Sequence, residues 1–432
     1  MLDLKQVNLL YGKTGLTVKV PANAYILECP EVPSLPDIEK TVYAALANPI
    51  ESPSLEQMIK KRKPQTVAIT ISDITRPVPN RVFLPVILNI LNRCGIRDSQ
   101  IAIIVGTGMH RPSTAEEHCY LVGADIMSRV AVVDHHATDV ATLKKVCDDP
   151  PVSVCRQFAE ADFKIVTGYI EAHFMAGFSG GRKGVCPALV DLQTIRNFHG
   201  YGTLCSPYAD TGNLQNNPCH EIALKVAHAV GVDFLFNVAI NNKREIAGIF
   251  CGELNAAHLA GCKQVAAWTT AKTDGPYDLV ITNGGGYPLD QTFYQTVKGM
   301  CTALPAIGEH TVLLQASACN EGLGSKEYAN TILRYGHQWQ KFLSDISDSR
   351  DFTVDQWQFQ MQTRVISRIG IKNLWFVTDG IEANILEKLC LTPVYDKGNA
   401  STKLQQVVDR FVSDNPCARI AVIPEGPYTI LK

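Results

Sequence analysis

Between Gly168 and Gly200 the chain reads GYIEAHFMAGFSGGRKGVCPALVDLQTIRNFHG, the densest run of reactive side chains in the sequence. Gly177, Gly180, Gly181 and Gly184 bracket Ser179, Arg182 and Lys183. Glycine lets backbone N–H groups come close to an anion, so the tract reads as a phosphate cradle, or more plainly as a turn carrying a solvated Arg-Lys pair. The P-loop spacing GxxxxGK[ST] is not met and no GxGxxG is complete, which counts against a simple nucleotide triphosphatase or a Rossmann dehydrogenase. His199 follows Lys183 by sixteen positions, at the end of a short helix opened by Asp191. His110 and His173 each follow an apolar run. Singly each suits a structural role, but two imidazoles in one crevice can serve as general acid and base from opposite sides of a substrate. Asp73 and Arg76 lie in DITRPVP, where an arginine fork suits a carboxylate, the alternative being a surface ion pair. In GGGYPLDQTFYQTVKGM, Tyr294, Gln295 and Lys298 fall within one helical turn and could close over a ligand.

These residues need strands to deliver them. TVAITIS, Thr66 to Ser72, reads as a buried strand ending in Asp73 and Arg76, and Pro77 and Pro79 delay the next helix to about Arg81–Arg93. Ile101 to Val105 delivers GTGMHRP with His110, after which Ser113 and Glu116 suggest a capping box. Val130 to Val133 delivers Asp134, His135 and His136; Phe163 to Tyr169 delivers Glu171 and His173. In open α/β sheets ligands bind beyond the carboxyl ends of the strands, so these loops should converge. VNLLYGKTGLTVKVP reads as a hairpin, Trp268 to Asp278 as a linker, and LVITNGG, TVLLQAS and NLWFVTDG repeat the strand-to-loop pattern. The expected fold is α/β: two α/β domains with mostly parallel sheets and an active-site cleft between them. Residues 1–270 would hold cofactor and catalysis, and 271–432 a smaller domain closing over the substrate. The last strand, within 415–432, fits either domain.

The sequence has 432 residues, 46% hydrophobic and 19% charged, with 40 basic against 42 acidic side chains. That composition is globular, and a net charge of -2 gives no field to draw nucleic acid or an anionic membrane. The 14 Cys occur without CxxC or zinc spacing and read as reduced thiols; with no signal peptide and no long apolar run, the expectation is a cytoplasmic protein.

Taken in order, DITRPVP, GTGMHRP, EAHFMAGFSGGRK, TIRNFHG, YQTVKGM and DQWQ resemble the lactate racemase family over nearly the whole chain. The resemblance implies a racemase or 2-epimerase of a small 2-hydroxy acid. It also implies a nickel-pincer nucleotide, a pyridinium-3,5-bisthiocarboxylic acid mononucleotide carrying nickel, attached covalently through Lys183 and loaded by cofactor-biosynthesis proteins. His199 would be the protein ligand to nickel. Asp73, Ser179, Gly180, Gly181 and Arg182 would serve the cofactor, His110 and His173 the proton transfers, and Arg76, Tyr294, Gln295, Lys298 and Trp357 the substrate. The α-hydrogen of an ionised 2-hydroxy acid leaves poorly as a proton, so the implied route moves it as hydride to the pyridinium and back to the opposite face, through a 2-keto acid. Two departures stand out. Ala188 follows Pro187 where Gly is common, which would disturb any positive φ there, and His136 stands where an acid is common. Competing expectations are an NAD-dependent 2-hydroxy acid dehydrogenase, a zinc hydrolase using His110, His173 and His199, and a non-catalytic binding protein of the same fold. Oligomeric state is left open.

Overall fold

The computed structural model describes residues 3–348 and 352–432. The chain divides into two compact units, one of Glu31–His199 and Tyr208–Trp268, the other of Met1–Pro30, Gly200–Pro207 and Thr269–Lys432.

The first unit is built on a six-stranded sheet in the order Ile246–Gly252, Phe234–Ile240, Phe163–Tyr169, Val67–Ser72, Ile101–Gly106, Ala131–Asp134. All neighbours run parallel except the antiparallel pair at the Ile246–Gly252 edge. A parallel sheet covered on both faces needs strands that are apolar on both sides. VAITIS and FKIVTGY meet that need and are buried almost throughout. The helix Asn80–Arg93 presents Phe83, Leu84, Ile87 and Leu91 to a core that includes Ile69, Ile103 and Phe236. From Val67–Ser72 the chain adds strands in one direction, then returns at Phe163–Tyr169 to the other side of the starting strand. The switch in direction therefore falls between the strands that deliver Asp73 and Arg76 and those that deliver Glu171 and His173. One cap differs from expectation. The helix Ala115–Val122 is opened by Thr114 and Glu117, which bond each other's backbone N–H, rather than by Ser113 and Glu116. Ser113 is taken instead by Asp134 of the neighbouring strand, which accepts from both its N–H (2.8 Å) and its hydroxyl (2.9 Å).

The second unit has an all-parallel sheet in the order Thr392–Pro393, Leu374–Val377, Val312–Ala316, Leu279–Asn283, Ile420–Val422, Tyr25–Ile26. Its membership differs from a single cut near 270. Tyr25–Ile26 extends the sheet beside Ile420–Val422, and the Asp290 carboxylate accepts the Gly12 N–H at 2.8 Å, so the first thirty residues belong with the C-terminal half. Of the 415–432 segment, Ile420–Val422 lies inside this sheet and not in the first one, and the last strand, Ile430–Leu431, pairs with Thr270–Ala271 in a separate two-stranded sheet. The expected hairpin forms from Leu4–Leu9 and Leu16–Pro21, and its Val18 and Val20 share a core with Leu404 and Val407 of the helix Ala400–Asp414. All 14 cysteines are free thiols. Among the described residues no helix is long and apolar enough to cross a membrane.

Candidate active site

At the switch point the two catalytic-type histidines are held in opposite tautomers. Asp73, 7% exposed, accepts from Thr75 Oγ1 at 2.6 Å and from His110 Nδ1 at 2.5 Å. A carboxylate only accepts, so Nδ1 carries the ring proton and Nε2 of neutral His110 is the basic atom. Burial pushes the Asp73 pKa up, but hydrogen bonds from His110 and Thr75 and the charge of Arg76 outweigh it and hold the group below the usual carboxylate range. His173 is arranged the other way. Its Nδ1 accepts from the backbone N–H groups of Met175 (3.3 Å) and Ala176 (3.2 Å), so the neutral ring carries its proton on Nε2, which faces Lys183 Nζ at 3.3 Å.

Lys183 sits in the tight turn Gly181–Gly184, its Nζ 5.3 Å from the centre of the Phe198 ring. Burial, then the charges of Arg76 and Arg182, push its pKa down to about 7, so a large fraction of the amine is uncharged and nucleophilic near neutrality. His199 ends the helix Leu192–Phe198, whose start is fixed by the Asp191 carboxylate accepting the Thr194 N–H at 2.9 Å. Burial and the nearby charge of Lys183 push the His199 pKa down to about 3. A metal binds the neutral imidazole, and His199 is neutral across the physiological range. Arg76 completes the group, its Nη1 3.3 Å from Glu171 Oε1.

The glycine-rich tract takes a different form from either expectation. Arg182, expected at the cofactor, is only 1% exposed, and its guanidinium is spent on His258 and on the carbonyls of Ala176 (2.9 Å) and Phe178 (3.2 Å). It is thus a clamp on the turn that follows His173, neither solvated nor presented to a ligand. Ser179 Oγ donates to the Tyr169 carbonyl at 2.8 Å and accepts the Glu171 N–H at 2.9 Å, so its hydroxyl is likewise committed to the protein. Gly181, at φ +54°, is required because a Cβ there would lie 2.4 Å from the His258 ring. Ala188 does not have a positive φ. Its carbonyl accepts the Gly108 N–H at 3.0 Å, so it steadies the His110 loop. His136 is exposed, whereas His135 is buried and bonded to the Val190 carbonyl.

In the second unit the helix Phe293–Thr302 carries Tyr294, Gln295 and Lys298. Tyr294 Oη accepts from Trp357 Nε1 at 2.8 Å, so these two predicted residues do meet. Burial raises the Tyr294 pKa well above its ordinary value, leaving a neutral phenol. Gln295 and Lys298 are half-buried.

The residues suit a cofactor that brings most of its own metal donors. No group of three or more His, Cys, Asp or Glu among the described residues is placed to hold a metal. One neutral imidazole and an adjacent amine that is largely deprotonated just above neutrality are what a ligand needing a single protein donor and a covalent tether requires. Sequence reasoning gave no role to Glu171, Tyr169 or His258. The position of Glu171 at a strand end was a usable signal; His258 lies 76 residues from Arg182 and left none.

The chain is similar to known proteins over nearly its whole length. Residues 11–212 match the model of the lactate racemase N-terminal domain and residues 272–431 that of the lactate racemase C-terminal domain. A lactate racemase of Thermoanaerobacterium thermosaccharolyticum is 31% identical over 99% of this chain and 100% of its own length, and one of Lactiplantibacillus plantarum is 32% identical over 91% of each. The solved structure of the T. thermosaccharolyticum lactate racemase apoprotein superposes with a TM-score of 0.88 at 30% identity, over 99% of this chain and 100% of that one. A Thermotoga maritima protein shares the fold at a TM-score of 0.65 and 17% identity, over 89% of this chain and 100% of its own.

Proposed function

The chain belongs to the lactate racemase family, and on that footing we propose that it inverts C2 of a 2-hydroxy acid, lactate or a larger homologue for which inversion is a 2-epimerisation. The observation that carries the reading is the meeting, at one switch point, of a Lys183 amine whose pKa is pushed down to about 7, a neutral His199, two histidines of opposite tautomer and Arg76.

In this reading Lys183 tethers a nickel-pincer nucleotide and His199 is its protein ligand to nickel. When bound, that group supplies an electrophilic pyridinium able to take the C2 hydrogen as hydride and give it back. The protein does the rest. Arg76 binds the substrate carboxylate, and Lys298 and Gln295 are assigned to the same task from the motif resemblance. His110, with Nδ1 held by Asp73, takes the hydroxyl proton at Nε2, while His173 offers Nε2–H to the oxygen on the other side. The hydroxyl lies on opposite sides in the two enantiomers, so the reverse direction runs these transfers backwards: His110 returns the proton it took, and His173, having given its Nε2 proton to the product oxygen while Nδ1 still accepts from Met175 and Ala176, takes one back at Nε2. Tyr294 and Trp357, which hydrogen-bond each other, are assigned to the substrate from the motif resemblance. The protein is assigned to the cytoplasm, where cofactor-biosynthesis proteins would load it.

Intact mass of the chain made in a host that produces the pincer nucleotide tests this reading. An adduct of mononucleotide mass on wild type, absent from Lys183→Ala, is expected. No adduct on wild type, despite a working cofactor pathway, would overturn it in favour of a cofactor-free binding protein.

A further inference from the structure

Arg76 meets a carboxylate that belongs to the protein. Glu171 Oε1 lies 3.3 Å from Arg76 Nη1, and the Tyr169 hydroxyl donates to Glu171 Oε2. The backbone of Glu171 is pinned as well: its N–H donates to Ser179 Oγ and its carbonyl accepts the Ser179 N–H, both at 2.9 Å. Ser179 Oγ in turn donates to the carbonyl of Tyr169. An ordinary surface ion pair loses most of its Coulomb gain to water and to side-chain entropy. Here the side chains are 28% and 17% exposed, and Glu171 is fixed through both carboxylate oxygens and both backbone groups, so the cost of holding it in place is met by the fold.

We infer that Glu171 is a positioning residue that orients Arg76 toward the substrate carboxylate and at the same time competes with that carboxylate for it. The inference rests on the assignment of Arg76 to the substrate. A guanidinium presents five N–H donors in a plane, and a carboxylate fixed at Nη1 sets the direction of that plane. The same negative charge offsets the arginine, so an incoming carboxylate is bound less tightly than by a bare guanidinium. That compromise suits a racemase. Substrate and product carry the same carboxylate, and tight binding common to both lowers KM without speeding the chemical step, whereas a well-aimed carboxylate presents C2 correctly.

The test uses the cofactor-loaded enzyme, Glu171→Gln, and the probe 2-hydroxy-2-methylpropanoate, which has the carboxylate and hydroxyl of a substrate but no hydrogen on C2. Calorimetry gives the probe's Kd, and chiral analysis gives KM and kcat on lactate. Glu171→Gln should bind the probe about threefold tighter and lower KM similarly, because the competing charge is gone, while kcat falls about tenfold through loss of aim. Tyr169→Phe keeps the carboxylate but loosens it, and should shift Kd, KM and kcat the same way by a smaller factor; it serves if Glu171→Gln folds poorly. Unchanged or weaker probe binding in both variants, even with reduced kcat, would overturn the inference and leave Glu171 a purely structural residue. Tighter probe binding together with no racemisation by wild type would keep the Arg76–Glu171 competition and sink the racemase reading instead.

Discussion

The individual side chains make separable predictions. Lys183 has a pKa pushed down to about 7, so competitive acetylation of the apoprotein, read by peptide mass spectrometry, should show this lysine half-reactive near neutral pH while exposed lysines titrate some three units higher. Titration of Lys183 near 10 would contradict the burial argument. The same shift affects stability. The unfolded chain binds a proton at this lysine that the folded chain gives up between about pH 7 and 10, so wild-type stability rises with pH across that window. Lys183→Met should therefore raise Tm at pH 7, and the gain should shrink as pH approaches 10. Asp73 titrates in the opposite sense. Its folded pKa is depressed, so its contribution is fully present above about pH 4, the unfolded value, and is lost as pH falls below it. Asp73→Asn should lose less stability on acidification than wild type, and should cut kcat about a hundredfold because His110 is no longer held in the basic tautomer. His110→Ala or His173→Ala should abolish interconversion without reducing nickel content. Full activity in either variant, by polarimetry, would remove the roles given to them.

At the scale of elements, what the sequence showed well was where strands end. VAITIS, IAIIV and FKIVTGY are apolar runs closed by charged loops, and a parallel sheet with both faces covered leaves no other place for them. Their carboxyl ends had to gather Asp73, His110 and His173. The glycine-rich tract was misleading because its cause is distant in sequence: Gly181 is small to make room for His258, and Arg182 is charged to hold the carbonyls of Ala176 and Phe178. The capping box slipped by one residue for the same kind of reason, since Asp134 claims Ser113. These partners come from other elements, and a local pattern carries no record of them. Arg182→Met would leave the His258 ring and two buried carbonyls short of a donor, and should destabilise the first unit by about 3 kcal/mol in urea unfolding. It should also speed hydrogen exchange at Met175 and Ala176, whose N–H groups set the tautomer of His173. Wild-type exchange at those amides would show that the clamp is unnecessary.

For the whole molecule, the family and the two-unit α/β plan were legible because six short motifs recur in order over the chain, while membership of the units was not. Met1–Pro30 joins the C-terminal half through pairing of Tyr25–Ile26 with Ile420–Val422, through the Gly12–Asp290 hydrogen bond and through the core shared by Val18 and Val20 with Leu404 and Val407, all of them contacts between distant parts of the sequence. The central claim concerns the reaction: C2 is inverted by moving its hydrogen as a hydride, with His110 and His173 handling only the hydroxyl proton. The most direct measurement is racemisation of L-lactate deuterated at C2, in ordinary water, by the cofactor-loaded enzyme, with chiral separation and mass analysis of the D-lactate formed. The account predicts D-lactate that keeps its C2 deuterium. D-lactate that has exchanged deuterium for solvent hydrogen would mean that C2 loses a proton, and would contradict it.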